Sequence, residues 1–158
     1  MTEEKIRQFT DRIGKANKTE MIVVVYDIAL AWAQQAGEAY DRGDMKAFGD
    51  ALTHTRKCVD SLIDALNFDY EVSNNLFSLY NFIKKRLLSS RIRESDTGLK
   101  DAVKILNGMK DIFTELAKMD DSGVMMDDTR HVVAGMTYGR GGMSEHVVNP
   151  EKTRTFSV

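Results

Sequence analysis

Proline is nearly absent from this sequence: Pro150 is the single one among 158 residues, so positions 1–149 hold no residue barred from donating a helical backbone hydrogen bond. Cysteine is as scarce, and the lone Cys58 excludes an intramolecular disulfide and a thiolate metal cage. Histidine occurs only at 54, 131 and 146, and the Glu-x-x-His pattern that builds two-metal sites in helical bundles is missing, so no metal, cofactor or catalytic residue is expected. Neither sign of charge dominates. The 22 Lys and Arg against 24 Asp and Glu leave a net charge of -2, with no excess positive field for a phosphate backbone, which argues against nucleic-acid binding. Long apolar runs are lacking too: Met21 to Tyr26 is closed by Asp27, whereas a bilayer span needs about 20 mostly apolar residues, so no membrane insertion is expected. The opening Met1-Thr2-Glu3-Glu4-Lys5-Ile6-Arg7 has no signal-peptide core, and a reducing cytoplasm is the expected location.

What is present is helical periodicity. Asn17 with Glu20 three residues on forms a capping-box pattern and opens a first long helix that ends near Arg42-Gly43. Asp44 caps a second, striped by Met45, Phe48, Leu52, Val59, Leu62, Ile63 and Leu66. A third carries Val72, Leu76, Leu79, Tyr80, Ile83 and Leu87 to about Ile92, and Ser95-Asp96-Thr97 caps a fourth, striped by Leu99, Val103, Leu106, Met109, Phe113 and Leu116. Short polar connections make neighbouring helices antiparallel. The expected fold is all-α: an antiparallel up-down four-helix bundle over residues 17–119. A short amphipathic N-terminal helix within 1–16 precedes it, built on Ile6, Phe9 and Ile13, and an irregular, partly mobile tail over 120–158 follows, with Val132, Val133, Met136 and Tyr138 as its docking candidates.

Two helices are apolar over more of their circumference than a bundle hides. The first long helix is apolar over an arc of about 260° and the third over about 240°, where a core-facing helix needs little more than about 100°. Surplus of this kind marks an interaction groove, a face covered by the N-terminal helix and tail, or a homodimer contact. The basic run Lys84, Lys85, Arg86, Arg91 and Arg93 suits the negative pole at its helix end, or an acidic partner. His54 and Cys58 are expected to be structural, Cys58 as a small apolar filler.

Three stretches carry a resemblance: Tyr26-Asp27-Ile28-Ala29-Leu30, Asn75-Leu76-Phe77-Ser78-Leu79-Tyr80, and between them Lys57-Cys58-Val59-Asp60-Ser61-Leu62. In order and helix placement they resemble the flagellar export chaperone family FliS over about residues 17–119. The resemblance implies an all-helical cytosolic binding protein without catalysis. Such a protein holds the disordered C-terminal segment of flagellin, prevents premature polymerisation, and delivers it to the flagellar export gate. On that basis Val23, Tyr26, Asp27, Leu30, Asn75, Leu76, Leu79, Tyr80 and Ile83 are the expected partner-binding residues, lining one groove between the first and third helices. Ile6, Phe9 and Ile13 are expected to cover that groove when the partner is absent. A Tyr26→Asp change is then expected to weaken binding far more than folding.

Overall fold

In a computed structural model, residues 1–125 are described and form five helices with no strand among them. These are α1 (Glu3–Lys15), α2 (Lys18–Asp41), α3 (Met45–Asp64), α4 (Val72–Arg93) and α5 (Thr97–Met119). The expected bundle with an extra N-terminal helix is the observed one. The docking candidates Val132, Val133, Met136 and Tyr138 lie outside the described residues.

Local chemistry explains the boundaries. At the start of α2 the expected capping box closes both ways: Asn17 Oδ1 accepts from the Glu20 N–H at 2.8 Å, and Glu20 Oε2 accepts from the Asn17 N–H at 3.3 Å. The carboxylate of Asp44 accepts from the Ala47 N–H at 3.0 Å and starts α3. Such caps stabilise a helix by about 0.5–2 kcal/mol. The third expected cap differs. Asp96 makes no side-chain bond to the first turn of α5 and pairs instead with Lys100 one turn on, at 2.8 Å. Glu94 ends α4 in the left-handed region, at φ 49°, and turns the chain sharply into α5. At that turn Gly98 is required by space, because a Cβ there would collide with the Arg86 carbonyl and Ser90 Oγ. The two helices touch so closely that Ser90 Oγ accepts from the Leu99 N–H, at 2.7 Å.

Around the bundle α2 packs on α3 and α5, α4 packs on the same two, and α1 lies against α2. Helices α2 and α4 therefore occupy diagonal corners. Between them the core closes on Tyr26, Tyr80, Phe48, Ile28, Ile83, Leu87 and Leu106. The hydroxyls of Tyr26 and Tyr80 share a hydrogen bond of 2.5 Å, and the Tyr26 ring tilts against Phe113 at 5.6 Å. Burial raises the pKa of both phenols, so the pair stays neutral and each oxygen is satisfied in the dry interior. Cys58 is wholly buried and burial pushes its thiol up to about 12, so it packs as an apolar filler with negligible thiolate. His54 stacks on Trp32, with ring centroids 4.0 Å apart.

Candidate interaction surface

The amphipathic helix α1 runs antiparallel to α2. At one end the Met1 amino group donates to Gln35 Oε1 at 2.9 Å; towards the other, Arg12 pairs with Asp27 at 2.7 Å. The α2 residues that bond α1 or share a hollow with it include Val24, Asp27, Ala31 and Gln35, which recur at spacings of three and four and so share a face. Phe9 and Ile13 are buried and Ile6 is half-buried. Asp27 ties three helices, since its second oxygen pairs with Lys110 of α5 at 2.5 Å. Beside that node a hollow opens between α1, α2 and α5, lined by Arg12, Lys15, Val23, Val24, Thr114 and Ala117.

A second feature lies between α4 and α5. The Arg86–Asp101 ion pair, at 2.8 Å, fixes which stripes face one another. Stepping along α4 in helical spacing from Arg86 gives Phe82, Leu79 and Asn75; along α5 from Asp101 it gives Ile105, Gly108 and Ile112. Phe82, Ile112, Leu116 and Met119 are 47, 54, 43 and 72% exposed, so apolar surface in water continues to the end of α5. At Gly108 a Cβ would meet nothing within 4 Å, which leaves the strip open across from Leu79.

The nine expected contact residues thus separate into three places. Val23, Asp27 and Leu30 recur at four and three residues along α2, and Val23 and Asp27 place that stripe on the edge facing α5. Asn75 and Leu79 line the α4 edge facing the other side of α5, with half-buried Leu76 one step further in. Tyr26, Tyr80 and Ile83 are closed inside the core. A single groove walled by α2 and α4 is not what the bundle presents, because diagonal helices meet only through the interior. Helix α5 stands between them and supplies the second wall of both surfaces. Sequence reasoning assigned α5 no contact, yet Ile105, Ile112 and Met119 repeat every seven residues outside its core stripe, a signal that was there to read. Helix α1 lies beside Val23, Val24 and Asp27 of α2, and Tyr26 is buried in the core.

Among the described residues no cluster of His, Cys, Asp and Glu could hold a metal ion, and no helix is long and apolar enough to cross a membrane. The fold and its two apolar edges define a helical-bundle interaction module. The chain belongs to the FliS family: residues 2–120 match the family described as "Flagellar protein FliS". It is similar to the "Flagellar secretion chaperone FliS" of Bacillus subtilis (strain 168), with 24% identity over 87 residues. That match covers 55% of this chain and 65% of the relative.

Proposed function

We propose that this protein is a flagellar secretion chaperone. It works in the cytoplasm, keeps the disordered C-terminal segment of flagellin from polymerising early, and presents it to the export gate. The observation that carries the reading is the apolar strip along α4 and α5, where Phe82, Ile112, Leu116 and Met119 stand in water and Gly108 leaves open space. An amphipathic helix laid there would cover them by the ordinary helix-in-groove mode. The α2 edge beneath α1 is the second half of the same surface. A client wrapping around α5 would use Asn75, Leu76, Leu79 and Phe82 on one side, and Val23, Asp27 and Leu30 on the other once α1 has moved aside. Tyr26, Tyr80 and Ile83 support this surface from within. Part of the interaction energy offsets the ordering of the client, which keeps release for export feasible despite a large contact.

Calorimetric titration of the full chain with the C-terminal segment of flagellin is the test. Binding should be enthalpy-driven, opposed by entropy, with a negative heat-capacity change from apolar burial. Absence of any heat up to about 100 μM segment, which corresponds to less than about 5.5 kcal/mol of binding, rejects the proposal. Light scattering across a dilution series distinguishes a homodimer, whose contact would hold the strip closed and leave its mass unchanged on adding the segment.

A further inference from the structure

Helix α1 joins α2 through a hinge of two residues, Ala16 and Asn17, both buried. The segment that follows α5 grips this hinge and the first turn of α2 behind it at three points. Asp120 Oδ2 accepts from Thr19 Oγ1 at 2.5 Å and from the Thr19 N–H at 3.3 Å. Asn17 Nδ2 donates to the Asp120 carbonyl at 3.0 Å, and the Met125 N–H donates to the Ala16 carbonyl at 3.1 Å. The segment is also braced on itself, because Asp120 Oδ1 accepts from the Ser122 N–H and Oγ, at 2.9 and 2.5 Å.

Each contact has a physical reason. The Thr19 N–H belongs to the first turn of α2, whose donors have no partner within the helix, and a carboxylate at that end also meets the positive pole of the helix dipole. Asp120 therefore caps α2 from a distant part of the chain while Asn17 caps it locally. The Ser122 and Thr19 donors hold the Asp120 carboxyl well below the usual carboxylate range, so the charge is present throughout the neutral range.

We propose that residues 120–125 are a clamp on the Ala16–Asn17 hinge that sets how often α1 lifts from α2, and so how readily a client reaches the surface beneath it. The second half of this inference rests on the reading of α1 as a cover; the first half does not. Swinging a rigid helix away requires new backbone angles at one or two hinge residues. Here those residues offer a carbonyl and a side-chain amide to the clamp, and turning them breaks both bonds. Whatever loosens the clamp shifts α1 towards the open state, and a client that binds only the open state gains apparent affinity in proportion.

Amide hydrogen exchange on the full chain tests the clamp. In Asp120→Ala the amides of α1 should exchange about ten- to a hundredfold faster, the loss expected when part-buried hydrogen bonds to a charged group are removed. Those of α3 and α4 should keep their rates. Thr19→Val should act in the same direction and add little when combined with Asp120→Ala, because the hydroxyl bond it removes is already lost with Asp120. The exposed neighbour Asp121→Ala should change nothing. Unaltered α1 exchange in Asp120→Ala overturns the clamp, and so does equal acceleration in α1 and α3, which would report global destabilisation. Titration of the same variant with the flagellin C-terminal segment separates the two halves. A several-fold gain in affinity supports the whole proposal; faster α1 exchange with unchanged affinity leaves the clamp standing and overturns the reading of α1 as a cover.

Discussion

Helices α2 and α4 pose the same problem and meet different solutions. Both are apolar over far more of their circumference than a bundle corner needs. Helix α2 buries ten of its 24 residues, and none of its large hydrophobic side chains is among the exposed ones. Helix α4 buries five of 22 and leaves Val72, Phe77, Phe82, Leu88 and Ile92 in water. Helix α2 packs more extensively than α4 against α3 and α5, and α1 covers part of it besides. Thirteen residues of N-terminal helix, with Phe9 and Ile13 turned inward, lie on the outer face of α2, and no equivalent lies on α4 among the described residues. Equal surplus in sequence has become a sheltered surface on one side of α5 and a bare one on the other.

The sharpest way to break this comparison is to strike what both helices share. Tyr26→Ala should cost about 3–5 kcal/mol, because it empties the centre of the core and leaves the Tyr80 hydroxyl unpaired. Chemical denaturation would show this, and Tyr26→Asp should unfold the bundle outright, contrary to its expected role as a contact. Alkali acts on the same interior. Cys58, Tyr26 and Tyr80 all have raised folded-state pKa values, so the stabilisation is complete below their unfolded values and is lost above them. Thermal midpoints should fall as pH rises from about 9 for the thiol and about 10 for the phenols; constant midpoints up to pH 11 would contradict the burial.

The bare side is next. Phe82→Asp with Ile112→Asp should leave stability within about 1 kcal/mol, since both side chains are exposed, yet weaken binding of the flagellin segment by about 2–4 kcal/mol. Loss of fold instead would place these residues in the core. On the sheltered side, Ile13→Ala should raise α1 exchange by at least tenfold while the α3 core keeps its protection, because only the cover loses its anchor. The smallest effect is at Gly108. Gly108→Ala should stabilise α5 by about 0.5–1 kcal/mol, as the side chain meets nothing. A bulkier Gly108→Leu should fold equally well and obstruct the segment, whereas unchanged titration would show that the client does not cross the strip there.

Much of the fold was legible in the residues because its determinants are local. The Asn17–Glu20 capping box, the Asp44 cap and the one-sided stripes of α3 and α5 each act within a turn or two, and the structure places them where the sequence did, except that Leu116 at the end of the α5 stripe is exposed. The Asp96 cap was not, because Asp96 has an exposed Lys four residues on as an alternative partner. The interaction surface was half legible. Periodicity shows that α2 and α4 have surplus apolar faces; that they sit on a diagonal follows from the up-down order, in which the first and third helices do not adjoin, and one groove walled by both was at odds with it. Tyr26 and Tyr80 stand out in both motif stretches because they meet each other, 54 positions apart in sequence. A directional bond between two large buried side chains sets the bundle's register, which makes them conspicuous for a structural reason. The Asp120 contact with Thr19 spans 101 positions, beyond the reach of any pattern in sequence.

That span has a consequence for biosynthesis. The residues that grip the elbow before α2 leave the ribosome about a hundred positions after the elbow itself, so while α3, α4 and α5 are being made, α1 rests on its own apolar contacts, the Arg12–Asp27 ion pair and the Met1–Gln35 hydrogen bond. Only when Asp120 and Met125 arrive is the first-made helix secured. A nascent chain stalled short of residue 120 should therefore carry the most loosely held form of that helix, and the finished one the most restrained.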